Sequence, residues 1–523
     1  MTDMKQKYST FIITSMLYAI FSVFFLYKNT AGITYPLFIL ITIMYYVICF
    51  CKLDVVIKKS SIFYLISMEL FGVSICCTSD MRIIITNKVA IFVLFICFMM
   101  HQVYNDKNLD VPKYVSNFLI TIINIVVNIT KPVTDGIDCI VAKRKEKEPK
   151  EENKTKKKSG KGLYIFLGLA IAIPLAIITL GLLSSADKVF AETLRDIFDL
   201  GFIIDNYFDI NNVIILIVVF VFISYMSVAS VTKKTVDEIE FKKPRLEPLV
   251  AITITIVLSV IYFLFCMVQI RYLFAGENVL PSGDTYAEYA RTGFFQLIFV
   301  SILNVVLVVL AIHLFKPNAL LKGMLVFISV CTYIMIASSA YRMILYIQYK
   351  YLTFDRIAVL VVLLMISLIM VGVIISIFKE TFSLMKYSVV VCSIIYLIFS
   401  FTRPDYWIAK VNIDNMREST QYEFFENTPV YDDYEYITEL SLDAACVILE
   451  DADRDGYEDF LYEYEDEYEE GDYRRYNYHY FMKEYDLGNV YMYIYMDKVI
   501  YETEDMGIRD FNISKYQAKD MVD

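Results

Sequence analysis

The stretch that decides the fold is Met385–Asn415, which reads MKYSVVVCSIIYLIFSF and then TRPDYWIAKVNIDN. Its first half is the last of about eleven apolar segments that approach the roughly 20 residues needed to cross a bilayer. Its second half begins an acidic segment that continues to Asp523. The sequence therefore predicts an all-α polytopic membrane protein with about eleven transmembrane helices and a small acidic α+β domain at its C-terminus.

The composition agrees with a membrane location. Of the 523 residues 57% are hydrophobic, and the mean hydropathy of +0.52 is too high for an ordinary soluble protein. The predicted spans are Phe11–Leu26, Ala31–Cys51, Ser61–Cys77, Ile83–Met100, Tyr164–Leu183, Val213–Val231, Leu249–Ile270, Phe294–Phe315, Leu321–Tyr341, Ile357–Phe378 and Met385–Phe401. A further stretch, Val115–Val127, is short and contains two asparagines, so it predicts an interfacial helix, with a short span as the alternative.

The charge divides the chain into regions. The overall charge of −11 hides an acidic C-terminal region, because residues 403–523 contain 32 Asp and Glu against 11 Lys and Arg. We predict an N-terminal membrane block at 1–130 with about four spans, and a basic cytoplasmic linker at 131–162. A second membrane block with about seven spans follows at 163–402, and the acidic domain occupies 403–523.

Lys and Arg predict the orientation of the spans. The loops that carry Lys5 and Lys7, Lys52 to Lys59, the linker, and Lys233 to Arg245 are richer in these residues than the alternate loops. Since basic residues concentrate on the cytoplasmic side, the N-terminus should be cytoplasmic. An odd number of spans then places the acidic domain outside the cell.

Three polar residues inside apolar segments need an explanation. Glu69 lies in ISMELFGVS, whereas Asn304 and His313 lie in the segment that starts at Phe294. A carboxylate at membrane depth costs roughly 2.5–3.5 kcal/mol, so Glu69 should face protein or water. These side chains are candidates for a proton or cation path, and the alternative is that they are paired or neutral structural groups.

Three polar patches fall on the predicted outer face. Thr285 and Glu288 form a T-x-x-E capping box at the start of a helix, and Arg291 lies on the same face. The candidate site consists of Tyr286, Glu288, Arg291, Tyr341, Arg342, Arg356, Asp405 and Asn412. Because paired charges are favourable at a membrane boundary, we expect Asp405 or Glu288 to pair with Arg342 or Arg356. Such a cluster would form a floor on which the C-terminal domain docks, unless each arginine extends separately to the lipid headgroups.

Several stretches resemble one family. These are YLFAGENVLPSGDTYAEYARTGFF, AYRMILYIQYKYLTFDR, RPDYWIAKVNID, LSLDA at Leu440–Ala444 and RDFNISKYQA at Arg509–Ala518. They resemble an uncharacterised bacterial membrane-protein family known as a domain of unknown function, of the type numbered 4153 or 4173. The resemblance covers about Leu163 to the C-terminus. It implies a bacterial plasma membrane and a shared architecture, and it supplies no activity.

The acidic region contains one metal-binding pattern. Asp451, Asp453, Asp455 and Asp459 stand around Gly456 as in the first half of a calcium loop. Position twelve of such a loop should be a glutamate, but here it is Tyr462. A solvated turn is therefore the alternative to calcium, which is the only cofactor that the sequence suggests.

The acidic region also has a strand-like pattern. Val490–Tyr501 reads VYMYIYMDKVIY, and its alternation predicts a strand.

No motif of a known catalytic mechanism occurs, so no catalytic residue is assigned and an enzyme is not favoured. We expect a binding, sensor-like or envelope-assembly protein whose partners are the lipid bilayer and an envelope or membrane protein that meets the acidic domain. A transporter that uses Glu69, Asn304 and His313 is one alternative. A membrane enzyme acting on a lipid-linked or envelope substrate is another. Nothing points to nucleic acid.

Overall fold

The computed structural model describes residues 4–29, 31–104, 111–147, 210–232, 246–274, 294–349, 351–379, 381–420, 436–450, 452, 456–458, 487–504 and 506–523. Within these ranges the chain is helical and contains no strand. The helices are α1 Tyr8–Leu26, α2 Thr34–Lys52, α3 Ile62–Cys77, α4 Met81–Val103, α5 Val111–Val127, α6 Lys131–Lys147, α7 Ile210–Thr232, α8 Pro248–Phe274, α9 Phe294–Leu314, α10 Ala319–Tyr349, α11 Phe354–Phe378, α12 Leu384–Phe401, α13 Pro404–Thr420, α14 Ala445–Ile448, α15 Leu487–Thr503 and α16 Ile513–Asp520.

Eleven described stretches are long and apolar enough to cross a membrane, which supports a multi-pass membrane protein. Ten of them coincide with predicted spans. The eleventh is Val111–Val141, which includes the stretch predicted to be interfacial. The predicted span at Tyr164–Leu183 lies outside the described residues.

The helix bundle has two ends that can be told apart by their contacts. At the tail end, where α1 and α3 finish, Arg509 Nη2 donates to Tyr27 O (2.5 Å) and Asn512 Nδ2 to Thr78 O (2.9 Å). At the N-terminal end, where α1 begins and α2 finishes, Lys7 Nζ donates to Lys52 O (3.3 Å). The C-terminal segment, residues 403–523, therefore contacts the end of the bundle opposite to the N-terminus.

Helix α5 lies along the N-terminal end. Near its start, Tyr114 OH donates to Cys97 Sγ close to the end of α4 (3.7 Å). Just beyond its finish, Pro132 O accepts from the hydroxyl of Tyr8 at the start of α1 (3.1 Å). Both partners belong to the N-terminal end of the bundle, whereas the length and composition of Val111–Val141 are those of a helix that could cross a membrane.

Helix α7 shows that the chain changes ends after Pro132. The ring of Phe220 lies 6.3 Å from that of Phe38, near the start of α2, whereas Tyr225 lies 6.0 Å from Tyr8. Helix α7 thus runs from the tail end to the N-terminal end. Pro132 and the start of α7 therefore lie at opposite ends of the bundle.

The C-terminal segment has an apolar core of its own. Helix α13, the segments 437–449 and 456–458, α15, and α16 with the turn that follows it supply this core. Its buried members are Ile408, Ala409, Ile413, Met416, Ile437, Leu440, Leu442, Ala444, Ala445, Ile448, Leu449, Tyr457, Tyr491, Met492, Ile494, Tyr495, Met496, Val499, Ala518 and Val522. Tyr351, Leu352, Phe354 and Ile357, at the connection between α10 and α11, pack against this core. The segment is therefore packed directly on the membrane bundle.

The predicted strand at Val490–Tyr501 is wrong, and an α+β domain is not supported. These residues belong to α15. Tyr491, Tyr495 and Val499 are all buried, and their spacing of four residues is that of one helix face. Apolar or aromatic side chains occupy almost every position of this stretch, so the strand period and the helix period both fit the sequence.

The two ends of the bundle predict opposite accessibilities. Cys446 is exposed on the C-terminal segment, and Lys316 follows α9 at the N-terminal end, where α10 starts. In variants with a single cysteine, we expect a membrane-impermeant maleimide to label one of Cys446 and Lys316→Cys in intact cells and the other only after permeabilisation. The Lys/Arg bias favours labelling of Cys446 from outside. Equal labelling of both positions would contradict the described arrangement.

Candidate functional site

The connection between α3 and α4 is a short polar turn with the sequence TSDMR, residues 78–82. Asp80 is the N-cap of α4, and its Oδ1 accepts a hydrogen bond from the N–H of Arg82 (2.8 Å). Thr78 Oγ1 accepts from the N–H of Asp80 (3.1 Å). An aspartate is a favoured N-cap because its carboxylate satisfies a free N–H of the first turn. The cap holds Arg82 at the tail end of the bundle.

Arg82 binds two buried carboxylates. Its Nε lies 2.9 Å from Asp80 Oδ1, and its Nη2 lies 2.6 Å from Asp405 Oδ1. The guanidinium also lies 3.9 Å from the ring centroid of Phe354. The side chain of Arg82 is 43% exposed, whereas that of Asp405 is 0% exposed. One cation at the boundary therefore compensates two carboxylates that water does not reach.

Asp405 joins the last span to the C-terminal segment. It follows Pro404, the first residue of α13. Proline suits the first position of a helix, and an acidic residue suits the first turn. Asp405 Oδ2 accepts from the N–H of Ser441 (2.9 Å). Burial and the neighbouring Asp80 carboxylate raise the pKa of Asp405, while the Arg82 guanidinium and the Ser441 N–H oppose this rise. The carboxylate is thus costly by itself and depends on Arg82.

A second aspartate of the C-terminal segment, Asp443, binds the α3–α4 turn. Asp443 is buried, and its Oδ1 accepts from the N–H and the hydroxyl of Ser79 (2.9 and 3.2 Å). Its Oδ2 accepts from the hydroxyl of Thr78. Asp443 belongs to the LSLDA stretch, so this stretch serves to attach the C-terminal segment to the α3–α4 connection.

Asn512 attaches the end of the chain to two connections at once. Its Nδ2 lies within hydrogen-bond distance of Ala31 O (3.1 Å), Ile75 O (3.2 Å) and Thr78 O (2.9 Å). Its Oδ1 caps α16 by accepting from the N–H of Ser514 (3.0 Å). A helix leaves its last carbonyls without partners inside the helix, and the Asn512 amide satisfies such groups at the end of α3.

Gly32 allows the backbone of residues 509–511 to approach the α1–α2 connection. The N–H of Ile33 donates to Phe511 O (2.8 Å). A Cβ at Gly32 would overlap the carbonyl oxygen of Arg509 and lie 2.7 Å from Asp510 Cα. Both of these are backbone atoms and cannot move aside as a flexible side chain could. Only glycine fits at this position while the C-terminal segment is docked.

The predicted outer-face residues have different partners from those expected. Asp405 pairs with Arg82 rather than with Arg342 or Arg356. Asn412 binds the N–H and the carbonyl of Leu352 (2.8 Å each). Arg356 donates to Tyr351 O and lies 4.3 Å from the ring centroid of Tyr346.

Asp405, Asn412 and Arg356 therefore lie where α13 meets the α10–α11 connection. Arg342 instead bonds Gln269 of α8 (3.2 Å), and Tyr341 is exposed. Tyr286, Glu288 and Arg291 lie outside the described residues.

The predicted intramembrane residues do not form one cluster. Asn304 accepts from Tyr262 OH (2.7 Å) and donates to Thr332 Oγ1 (2.9 Å), so it links α8, α9 and α10. His313 Nδ1 lies 2.7 Å from Val309 O of its own helix. Glu69 Oε2 is buried and has no hydrogen-bond partner among the described residues.

The residues of the calcium pattern, Asp451, Asp453, Asp455 and Asp459, lie outside the described residues. In the part of the chain that is described, no group of three or more His, Cys, Asp or Glu could hold a metal ion.

Sequence reasoning missed the α3–α4 connection. Thr78, Ser79, Asp80 and Arg82 provide the membrane side of the site, but the sequence shows them only as a short polar loop between two apolar segments. The available signal was Asp80 as a cap with Arg82 two residues later, at a boundary where charges should be paired. Asp405, the partner of Arg82 on the C-terminal segment, is 323 residues away in sequence, so no local pattern could identify it.

Because Arg82 pairs with both Asp80 and Asp405, its substitution should destabilise the protein more than substitution of Asp405. Arg82→Met should lower the free energy of unfolding by about 3–5 kcal/mol, because Asp80 and Asp405 stay buried without a counter-charge. Asp405→Asn should cost less, about 1–3 kcal/mol, because the Asn oxygen can still accept from Ser441. Denaturant titration in detergent micelles measures both values.

A pH series and a surface pair provide the controls. Arg82 lowers the pKa of Asp405, so its removal should raise that pKa further. The Arg82→Met loss should therefore shrink as a falling pH protonates the buried carboxyl group. Lys316→Met removes an exposed pair with Glu247 and should cost at most about 1 kcal/mol. Equal losses in Arg82→Met and Lys316→Met at neutral pH would contradict the role of Arg82.

Gly32 gives a direct test of docking. Gly32→Ala should displace residues 509–511 and speed trypsin cleavage after Arg509 in the purified full-length protein. Gly323→Ala is the matched control, because no atom lies within 4 Å of its added Cβ and alanine suits the interior of α10. If both variants are cleaved after Arg509 at the wild-type rate, the C-terminal segment does not dock against Gly32.

Comparison with known proteins places these features in a family. The model of a family described as a domain of unknown function, DUF4153, matches residues 65–450. No curated protein and no solved structure matches the chain. The match begins nearer the N-terminus than the resemblance suggested, so it includes the α3–α4 connection, Asp405 and Asp443, and it ends before Asn512. The chain belongs to the DUF4153 family.

Proposed function

We propose that the chain is a binding, sensor-like or envelope-assembly protein of the bacterial plasma membrane, with its C-terminal segment outside the cell. The observation that carries this proposal is the use of the polar residues at the tail end. Arg82, Asp405, Asp443 and Asn512 all hold the C-terminal segment on the bundle. A segment fixed in this way is suited to present a constant surface to a partner.

The chemistry of the site favours binding over catalysis. Each oxygen of Asp405 has a partner, Arg82 on one side and the Ser441 N–H on the other. A catalytic acid or base must reach a substrate atom, so a carboxylate with this burial and these partners serves attachment better. A membrane enzyme would use Glu288, Arg291, Arg342 and Asp405; of these, Asp405 binds Arg82 and Arg342 binds Gln269, and Glu288 and Arg291 lie outside the described residues.

The charge suggests the kind of partner. Residues 403–523 carry 32 acidic against 11 basic side chains. A strongly acidic surface attracts cationic partners and repels other anionic surfaces. We therefore propose a basic segment of an envelope or membrane protein as the partner, and calcium at Asp451, Asp453, Asp455 and Asp459 remains part of the proposal as a lesser alternative.

A transporter is the second candidate, because of Glu69. A carboxyl oxygen that is buried in a span without a described partner is a candidate for proton binding. The other residues of this hypothesis serve other purposes, because Asn304 links helices and His313 bonds its own helix. The transporter hypothesis thus rests on one residue.

Site-specific photo-crosslinking tests the binding proposal. A photoreactive residue at Tyr501 or Tyr516, both exposed on the C-terminal segment, should give a discrete crosslinked product in intact cells. The yield should fall when the ionic strength is raised, because salt screens an acidic surface from a basic partner.

The docking variants supply the comparison. Gly32→Ala should reduce the yield of the crosslinked product, and Gly323→Ala should leave it unchanged. A product that is equally abundant in the Gly32→Ala background would mean that docking has no part in binding. The absence of any product from both positions would contradict the proposal itself.

A further inference from the structure

The loop Met506–Phe511 is fixed at the end of a membrane span. Arg509 Nη2 donates to Tyr27 O (2.5 Å), and its guanidinium lies 5.8 Å from the ring centroid of Phe24. Phe24 belongs to the last turn of α1, and 56% of its surface is exposed. On a span, an exposed phenylalanine one turn from the end faces the lipid close to the headgroups. Arg509 therefore lies at the level of the membrane surface.

Among the described residues, Ile508 has no protein environment that explains its type. It is 92% exposed, which is more than any other large hydrophobic residue described. Consecutive Cα atoms are about 3.8 Å apart, so Ile508 cannot be far from the level of Arg509 and Phe24. An isoleucine held at this height by a docked backbone lies where water gives way to acyl chains.

The end of α1 and α2 that Arg509 contacts has the composition of a membrane interface. Phe21, Phe24 and Ile33 are exposed at the same end of α1 and α2. Lys28 and Arg509 lie among them, with Lys28 Nζ 5.9 Å from the ring centroid of Tyr27. Aromatic side chains and cations with long stems are the residues that settle at the headgroup level. This combination fits a lipid surface better than it fits the apolar face of a protein.

We propose that the loop Met506–Phe511 is a membrane anchor that inserts Ile508 into the bilayer interface beside Phe24. The partner is the boundary between headgroups and acyl chains, with Lys28 near the lipid phosphates. The anchor acts together with the Asn512 contacts, because the same backbone stretch is fixed to the α1–α2 connection on one side and enters lipid on the other. This inference does not depend on which partner the C-terminal segment binds.

Tryptophan fluorescence of the full-length protein tests the anchor. The chain has a single tryptophan, Trp407, so Trp407→Phe combined with Ile508→Trp gives one reporter. Because Ile508 is exposed, this substitution leaves the packing unchanged. The matched control combines Trp407→Phe with Glu450→Trp, since Glu450 is exposed and charged on the same segment. Both proteins are reconstituted into vesicles of phosphatidylcholine and phosphatidylglycerol.

The two quenchers give distinct outcomes. In the Ile508→Trp protein, we expect a blue-shifted emission. Lipids brominated near the headgroup end of the acyl chain should quench most of this emission, and iodide should quench little of it. The Glu450→Trp protein should show the reverse. If iodide quenches both proteins equally, Ile508 lies in water and the proposal is overturned. If neither quencher reaches the Ile508→Trp reporter, protein covers the loop, and the lipid anchor is likewise excluded.

Discussion

Charge compensation at the membrane boundary is the constraint on which the docking of the C-terminal segment depends. Asp80 and Asp405 are both buried, and Arg82 is the cation that lies within ion-pair distance of each. A buried carboxylate without a counter-charge costs several kcal/mol, so the position of Arg82 determines where α13 can leave the bundle. The Ser441 N–H completes the arrangement from the C-terminal segment. The C-terminal segment is thus joined to the membrane helices through a carboxylate, Asp405, that it could not bury without Arg82.

The unpaired backbone groups at helix ends supply most of the remaining recognition. The connection between α3 and α4 is short, and the carbonyls of Ile75 and Thr78 lie at the end of α3 where no further turn can satisfy them. Asn512 provides the donor, and Asp443 accepts from the N–H and hydroxyl of Ser79. These hydrogen bonds require only one amide or carboxylate side chain within reach of the backbone groups at the end of α3. This explains why the polar docking residues of the C-terminal segment, Asp405, Asp443 and Asn512, occur as isolated positions in the sequence rather than as a dense motif.

The membrane architecture followed from the sequence because length and polarity determine it locally. The stretch Ile357–Phe378 could only be a span, and it lies within α11. The site could not be predicted in the same way, because an arginine such as Arg82 indicates that an anionic partner is needed but does not identify that partner. The prediction of a strand at α15 was wrong for another reason. Its tyrosines and methionines are buried at nearly every position, so the pattern fits the period of a helix as well as that of a strand. The sequence predicts that Asp405 or Glu288 pairs with Arg342 or Arg356, but the partner of Asp405 is Arg82, which precedes it by more than 300 residues.

The docked unit extends beyond the region shared with the family. The family match ends at residue 450, but α15 and α16 contribute Tyr495, Val499 and Ala518 to the same core as Ile408 and Ile413 of α13. A chain that ended at 450 would expose this apolar surface and leave the carbonyls that Asn512 meets without a donor. The Arg82 pair lies inside the matched region, whereas the contact of Gly32 with residues 509–511 lies outside it at both ends of the chain. Docking of the C-terminal segment therefore uses two contacts. The Arg82–Asp405 pair lies within the family match, and the contact between the α1–α2 connection and residues 509–511 lies outside it.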